Sequence, residues 1–209
     1  MQQFDQQVQT LVDLGYPALA ELDEPAFRQL LEPLRAQART CAEPWVIVIA
    51  PPLISPELLV PLLHLRGSTK PGVVDRNHGA AGLTPYRPLD VLGVPDADAY
   101  LLEGVERGEE FCNVRPQDAL PVITGRGRTP LTISEGVALV THHPDLLEKN
   151  RCFMLSGSRR GDRRVPAMWI SAGAPKLGWC WDGNPHTWLG TASASGRLVA
   201  RQTAARVAP

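Results

Sequence analysis

The chain has 209 residues, of which 44% are hydrophobic and 21% charged, and its formal net charge is −1. These values are those of an ordinary globular protein, long enough for a proper core without disulfide staples. No apolar run reaches the ~20 residues that a bilayer crossing needs, and "MQQFDQQVQTLVDLG" lacks the basic start and apolar centre of a signal peptide. A membrane role is thereby excluded and a cytoplasmic protein expected. Cys41, Cys112, Cys152 and Cys180 show no paired spacing and read as thiols, with disulfides the lesser alternative. Residues 1–110 hold 8 Lys and Arg against 16 Asp and Glu, whereas 111–209 hold 13 against 6. Complementary packing of the two halves explains that asymmetry more simply than a basic binding face does.

Phe4, Val8, Leu11 and Val12 recur at helical spacing and predict a first helix, ended by Gly15 and Pro17. Asp23 predicts the N-cap of a second, with Pro25 in its first turn, Phe27, Leu30, Leu31 and Leu34 as its buried stripe, and a bend at Pro33. "PWVIVIAPP", 44–52, is rich in β-branched residues and bracketed by prolines, which predicts a buried strand. Ser55, Pro56 and Glu57 open a short helix through Leu63, and His64 sits at its C-terminal end, where the helix dipole favours it. Glycine and proline punctuate 67–95, which reads as short strands and turns or as a long functional loop. Asp75 and His78 could meet there on one turn, although Asp, Asn and Gly at such a place serve turn chemistry alone equally well.

"AYLLEGVERGEEF", 99–111, reads as a strand into an acidic turn, and "RPQDALPVI" as helical. Thr132 and Glu135 make a Thr-x-x-Glu capping box before the apolar run 137–140, so a helix over 133–141 should stop near His142 and His143, ahead of Pro144. Residues 145–149 suit one further turn. The apolar period then changes to two: "RCFMLSG", "RVPAMWISAG" and "KLGWCWDG", separated by "SRRGD" and "AP", predict an antiparallel meander. On the last strand Leu177, Trp179 and Trp181 share one face, with Gly178 and Cys180 on the other. Trp169 from the neighbouring strand is expected to join the aromatic face, which either plugs the core or lines a pocket. Asp182, Asn184, His186 and Thr187 crowd the turn that follows, and polar groups beside an apolar floor suit a small-molecule site.

Three chemistries compete for these residues. Arg159, Arg160, Arg163 and Arg164 in "SGSRRGDRR" offer guanidinium forks to a phosphate or carboxylate, with a solvated basic turn as the plain alternative. His142, His143, Cys152, Cys180 and His186 are zinc-ligand types, yet no two stand at a familiar spacing, so no metal is assigned. Cys180, His186 and Asp182 contain the types of a thiol triad, and Ser156 or Ser158 with a histidine those of a serine one, in an order that matches no familiar motif. No nucleotide or dinucleotide fingerprint, zinc-finger spacing or RNA-recognition motif is present, which argues against nucleic acid and leaves the cofactor unknown.

"PLTISEGVALVTHHPDLL" followed by "GSRRGDRRVPAMWISAGAPKLGWCWDGNPHTWLGTAS" resembles a domain family of unknown function from high-GC Gram-positive bacteria, most strongly over 130–193. The resemblance implies a bacterial cytosolic protein with one domain over most of the chain, and carries no activity, cofactor or catalytic residue.

The expected architecture is one α+β domain over 1–195, with N-terminal helices, central strands, one capped helix and a C-terminal antiparallel β-meander. A basic, flexible tail over 196–209 follows. The expected function is to bind a small anionic molecule, Arg159, Arg160, Arg163 and Arg164 holding its charge and Trp169, Trp179, Trp181 and Asn184 its remainder. The alternatives are an enzyme with His186 as general base oriented by Asp182, and a protein-interaction module with tryptophan anchors. Oligomeric state has no sequence signature here.

Overall fold

The computed structural model describes residues 2–200. Helix α1 (Gln2–Asp13) buries Phe4, Val8 and Leu11, as the spacing predicts. It also buries Gln7, whose side chain donates to the Trp45 carbonyl at 2.9 Å and accepts from the Ile47 N–H at 2.8 Å. Ile47 belongs to β1 (Val46–Ile49), an edge strand, so Gln7 occupies backbone groups that would otherwise lie unpaired. Gly15, at φ +82°, turns the chain into α2 (Tyr16–Leu19). Asp23 caps α3 (Glu24–Leu31) by accepting from the Ala26 N–H at 2.8 Å. Pro33 cannot donate to the helical ladder, and the chain tightens into a 3-10 turn over Glu32–Leu34 before α4 (Arg35–Ala38).

Between β1 and its partner lie α5 (Pro56–Leu59), capped by Ser55, and the two-residue strands β2 (Val73–Val74) and β3 (Arg87–Pro88). The long loop over 67–95 therefore has structure too short to leave a periodic pattern. Strand β4 (Ala99–Glu103) pairs antiparallel with β1, and β12 (Gly196–Leu198) covers the other side of β4. This corrects the expected tail: residues 196–198 complete a sheet, while the part of the tail over 201–209 falls outside the described residues. What pins β12 is Arg197, whose Nε lies 2.5 Å from Glu135 Oε1 and whose Nη2 lies 3.0 Å from Oε2.

Helix α6 (Pro116–Gly125) packs a satellite cluster of Phe111, Ala119 and Ile123. Strand β5 (Thr129–Pro130) leads into α7 (Ile133–His142), with the capping box as predicted. Residues 133–140 are all buried, and the helix packs on β1 within the main core.

The second sheet contains β6 (Cys152–Met154), β8 (Arg164–Ser171), β9 (Ala174–Trp181) and β10 (Leu189–Thr191), in the order β10-β6-β8-β9-β2. Strands β6, β8 and β9 form the predicted antiparallel meander. Its two outer strands, β10 and β2, run parallel to their neighbours, so the sheet is mixed. The β8–β9 turn falls at Ala172 and Gly173, at φ +52° and +76°, and not at Ala174-Pro175, which lie in the strand. Positive φ at both central residues is the hairpin geometry that matches strand twist. Two small ladders remain: β7 (Ser158–Arg159) pairs with β3, and β11 (Ser193–Ala194) with β5. The whole is α+β.

Candidate functional site

The β8–β9 register decides where the tryptophans go. Trp179 and Trp181 share a face, their rings 4.8 Å apart edge to face. Trp169 pairs with Lys176 and therefore points to the opposite face, a correction to the expected three-membered aromatic surface. There it lies on Gly178, where any Cβ would stand 2.1 Å from the indole, and meets Trp188 at 6.2 Å. Lys149, Asn150, Cys152, Trp169, Ile170 and Trp188 surround an open hollow of about 330 Å³ on that side.

The four arginines do not converge. Arg159 donates to the Ser156 carbonyl at 2.6 Å and reaches Asp182 at 3.3 Å. Arg160 donates to the His78 carbonyl at 3.2 Å, lies over the Tyr86 ring and stands 3.4 Å from Asp162. Arg163 donates to Gln117 at 3.3 Å, and Arg164 lies 4.6 Å over Trp179 beside Asp162. Arg159 and Arg160 are thus held by the protein's own acceptors, whereas, among the described residues, the exposed Arg163 side chain makes that one hydrogen bond to Gln117 and Arg164 Nε is buried without a hydrogen-bond partner. Asn184 is exposed, its N–H donating to the Trp181 carbonyl.

His186 and Asp182 are also separated in their bonding. Asp182 answers Arg159, whereas His186 packs edge-on to Trp188 with Nε2 buried and unpartnered, and burial lowers its pKa. Burial pushes the Cys180 thiol up to about 12, and its Sγ rests 3.4 Å from Met154 Sδ, so the thiolate needed for attack is disfavoured. Among the described residues no group of three or more His, Cys, Asp or Glu is placed to hold a metal ion. Asp75 and His78 do share a turn: Asp75 caps it and pairs with Lys176 at 2.8 Å, while His78 Nε2 meets the Leu177 carbonyl.

A different place has open hydrogen-bonding capacity. The first amides of a helix have no intrahelical acceptor. At the start of α7, Thr132 N–H donates to Glu135 Oε2 at 2.7 Å, Ile133 N–H to Ser158 Oγ at 3.0 Å and Glu135 N–H to Thr132 Oγ1 at 3.4 Å. Ser134 alone in this turn has neither its N–H nor its hydroxyl bonded within the described residues, and it is only 7% exposed. It lines a cavity of about 260 Å³ together with Glu57, Tyr86, Arg87, Tyr100 and Ser158. Tyr86, 6% exposed, has a buried hydroxyl that meets no acceptor at hydrogen-bonding geometry; burial raises its pKa despite the nearby Arg160 guanidinium.

Behind the cavity, Glu135 is fully buried and neutralised by Arg197, while Tyr100 donates to it at 2.9 Å. Burial, reinforced by that carboxylate, holds the Tyr100 phenol well above its ordinary value, so it remains a donor. Residue type did not single out Ser134, Tyr86, Glu57 or Arg87 as site residues. The capping box at Thr132 and Glu135 is the one sequence feature that points toward this place, because it locates the helix entry.

The arrangement defines an α+β chain with a half-open cavity at a helix N-terminus, and among the described residues no helix is long and apolar enough to cross a membrane. A family profile matches residues 10–200, and the chain belongs to that family, the family of unknown function DUF5701. No match was found among curated proteins or among solved structures.

Proposed function

We propose that this protein binds a small organic molecule in the cavity at the start of α7. An apolar body would lie among Leu83, Pro88, Val94 and Ile133, and a hydrogen-bond-accepting head, anionic by preference, would take the N–H and hydroxyl of Ser134. The observation that carries this reading is the unspent pair of donors on Ser134 at the positive end of a ten-residue helix. Convergent polar groups on an apolar wall are the usual anatomy of small-molecule sites. The helix entry is preferred to the arginine turn, where Arg159 and Arg160 are held by Asp182, Asp162 and backbone carbonyls.

Backbone amide NMR titration with a panel of small carboxylates and their neutral amides tests this. Saturable shifts centred on Ser134 and Tyr86, weakened by Ser134→Ala, are expected. Shifts centred on Arg159 to Arg164 would return the site to the turn, and no response anywhere would sink small-molecule binding. The interaction-module reading rests on Trp181, 45% exposed beside Trp179.

A further inference from the structure

The cavity holds an anion and a cation that do not pair with each other. Glu57, on α5, accepts from the Ser55 hydroxyl at 2.5 Å and from the Leu83 N–H at 2.9 Å. A carboxylate has about four acceptor positions, so roughly half of its capacity is left. Those two bonds fix its orientation, and among the described residues no Lys, Arg or His forms an ion pair with it. Arg87, at the rim, donates through Nη1 to the Thr84 and Tyr86 carbonyls, which leaves its other donors unengaged and no carboxylate opposite. Both side chains line the same hollow as Ser134.

A simple anion would meet Arg87 and the helix end favourably but Glu57 unfavourably, and a simple cation the reverse. A ligand bearing both charges satisfies all three. The volume of about 260 Å³ equals the liquid share of roughly nine water molecules, which suits a free amino acid. Pro51, Pro56, Leu83, Pro88, Val94 and Ile133 give the remaining wall an apolar stretch among hydroxyl-bearing residues.

We infer that the ligand is a zwitterion, a free α-amino acid with an apolar side chain, its carboxylate at Ser134 and Arg87 and its ammonium at Glu57. This rests on the binding reading above. The two charge-assisted contacts hold the neighbouring ammonium and carboxylate on one α-carbon, so removal of either charge should cost about tenfold or more in affinity.

The test is calorimetric titration of the full chain with L-leucine and L-phenylalanine, with isocaproate, which lacks the amine, and with isoamylamine, which lacks the carboxylate. Saturable binding of at least one amino acid is expected, with both single-charge analogues roughly tenfold weaker or worse. Glu57→Gln keeps an acceptor for the Leu83 N–H and should weaken the amino acid while isocaproate, relieved of a like charge, binds more tightly. Should that variant not fold, Arg87→Gln at the exposed rim gives the complementary pattern: amino acid and isocaproate weakened, isoamylamine bound more tightly. Isocaproate binding as tightly as the amino acid would overturn the zwitterion and leave the small-acid site standing. No saturation by any of these compounds at millimolar concentration, with the NMR panel also silent, would overturn both.

Discussion

The arginine turn and the entry of α7 make an instructive pair. The turn carries four guanidiniums within six residues and has the composition of an anion site, yet Asp162, Asp182, Gln117, the Ser156 and His78 carbonyls and the Trp179 ring already engage them. The helix entry presents one serine between Ile133 and the capping Glu135, and its donors are unspent. Free hydrogen-bonding capacity, more than charge count, separates a place that can take a ligand from one that has been used to hold the fold.

The sharpest way to break this contrast is to remove the support behind the helix entry. Arg197→Met would leave Glu135 charged and wholly buried without its counter-ion, and an uncompensated buried charge costs about 3–5 kcal/mol. Urea unfolding should show that loss, and a second substitution, Glu135→Gln, should recover part of it. A cost below about 1 kcal/mol would mean that the pair does not anchor α7.

The far end of the same helix should make stability fall in acid. Burial, aided by the neighbouring His143, lowers the His142 pKa to about 3, and its Nδ1 is buried without a partner. Below the ordinary value of about 6.5 the unfolded chain takes up a proton that the folded one refuses, so stability declines by up to about 1.4 kcal/mol per pH unit as pH falls from 6.5 towards 3. His142→Gln should flatten that part of the stability profile; an unchanged slope would assign the acid sensitivity to other groups.

Smaller effects sharpen the site itself. Ser134→Ala is expected to reduce ligand affinity by about tenfold, with stability within about 0.5 kcal/mol of the parent. Arg164→Ala should cost about 0.5–1 kcal/mol through the lost Trp179 contact, and Arg163→Ala less. Neither should change affinity in the titrations, and a tenfold loss in either would restore the turn as the binding site.

Local chemistry made much of this fold legible. Asp23, Ser55 and Thr132 cap helices where their side chains announce it, and the β-branched run between Pro44 and Pro52 is the strand β1. What stayed hidden depends on distant pairing. The face of Trp169 depends on the number of residues in the hairpin loop: a two-residue turn, at Ala172-Gly173 or at Ala174-Pro175, sets it opposite an even-numbered residue and away from Trp179 and Trp181, and a loop one residue longer would set it beside them. Strands β2 and β10 are too short for periodicity to reveal, and β12 reads as a small-residue tail until β4 and Glu135 supply its partners. Ser134 is unremarkable in sequence because its status follows from where its neighbours' amides are spent, on Glu135, Ser158 and Thr132.

The lateness of Arg197 has its own consequence during synthesis. Every strand of both sheets except β12 leaves the ribosome before residue 196, and at ~5–20 residues per second the nascent chain has time to collapse around α7 while Glu135 has no counter-charge. The helix entry and its cavity can reach their final form only after that last strand is laid against β4. The cavity wall is therefore complete only once residue 197 has been made, and a chain stopped just before it would have nearly all the core residues but an unneutralised carboxylate beneath the cavity.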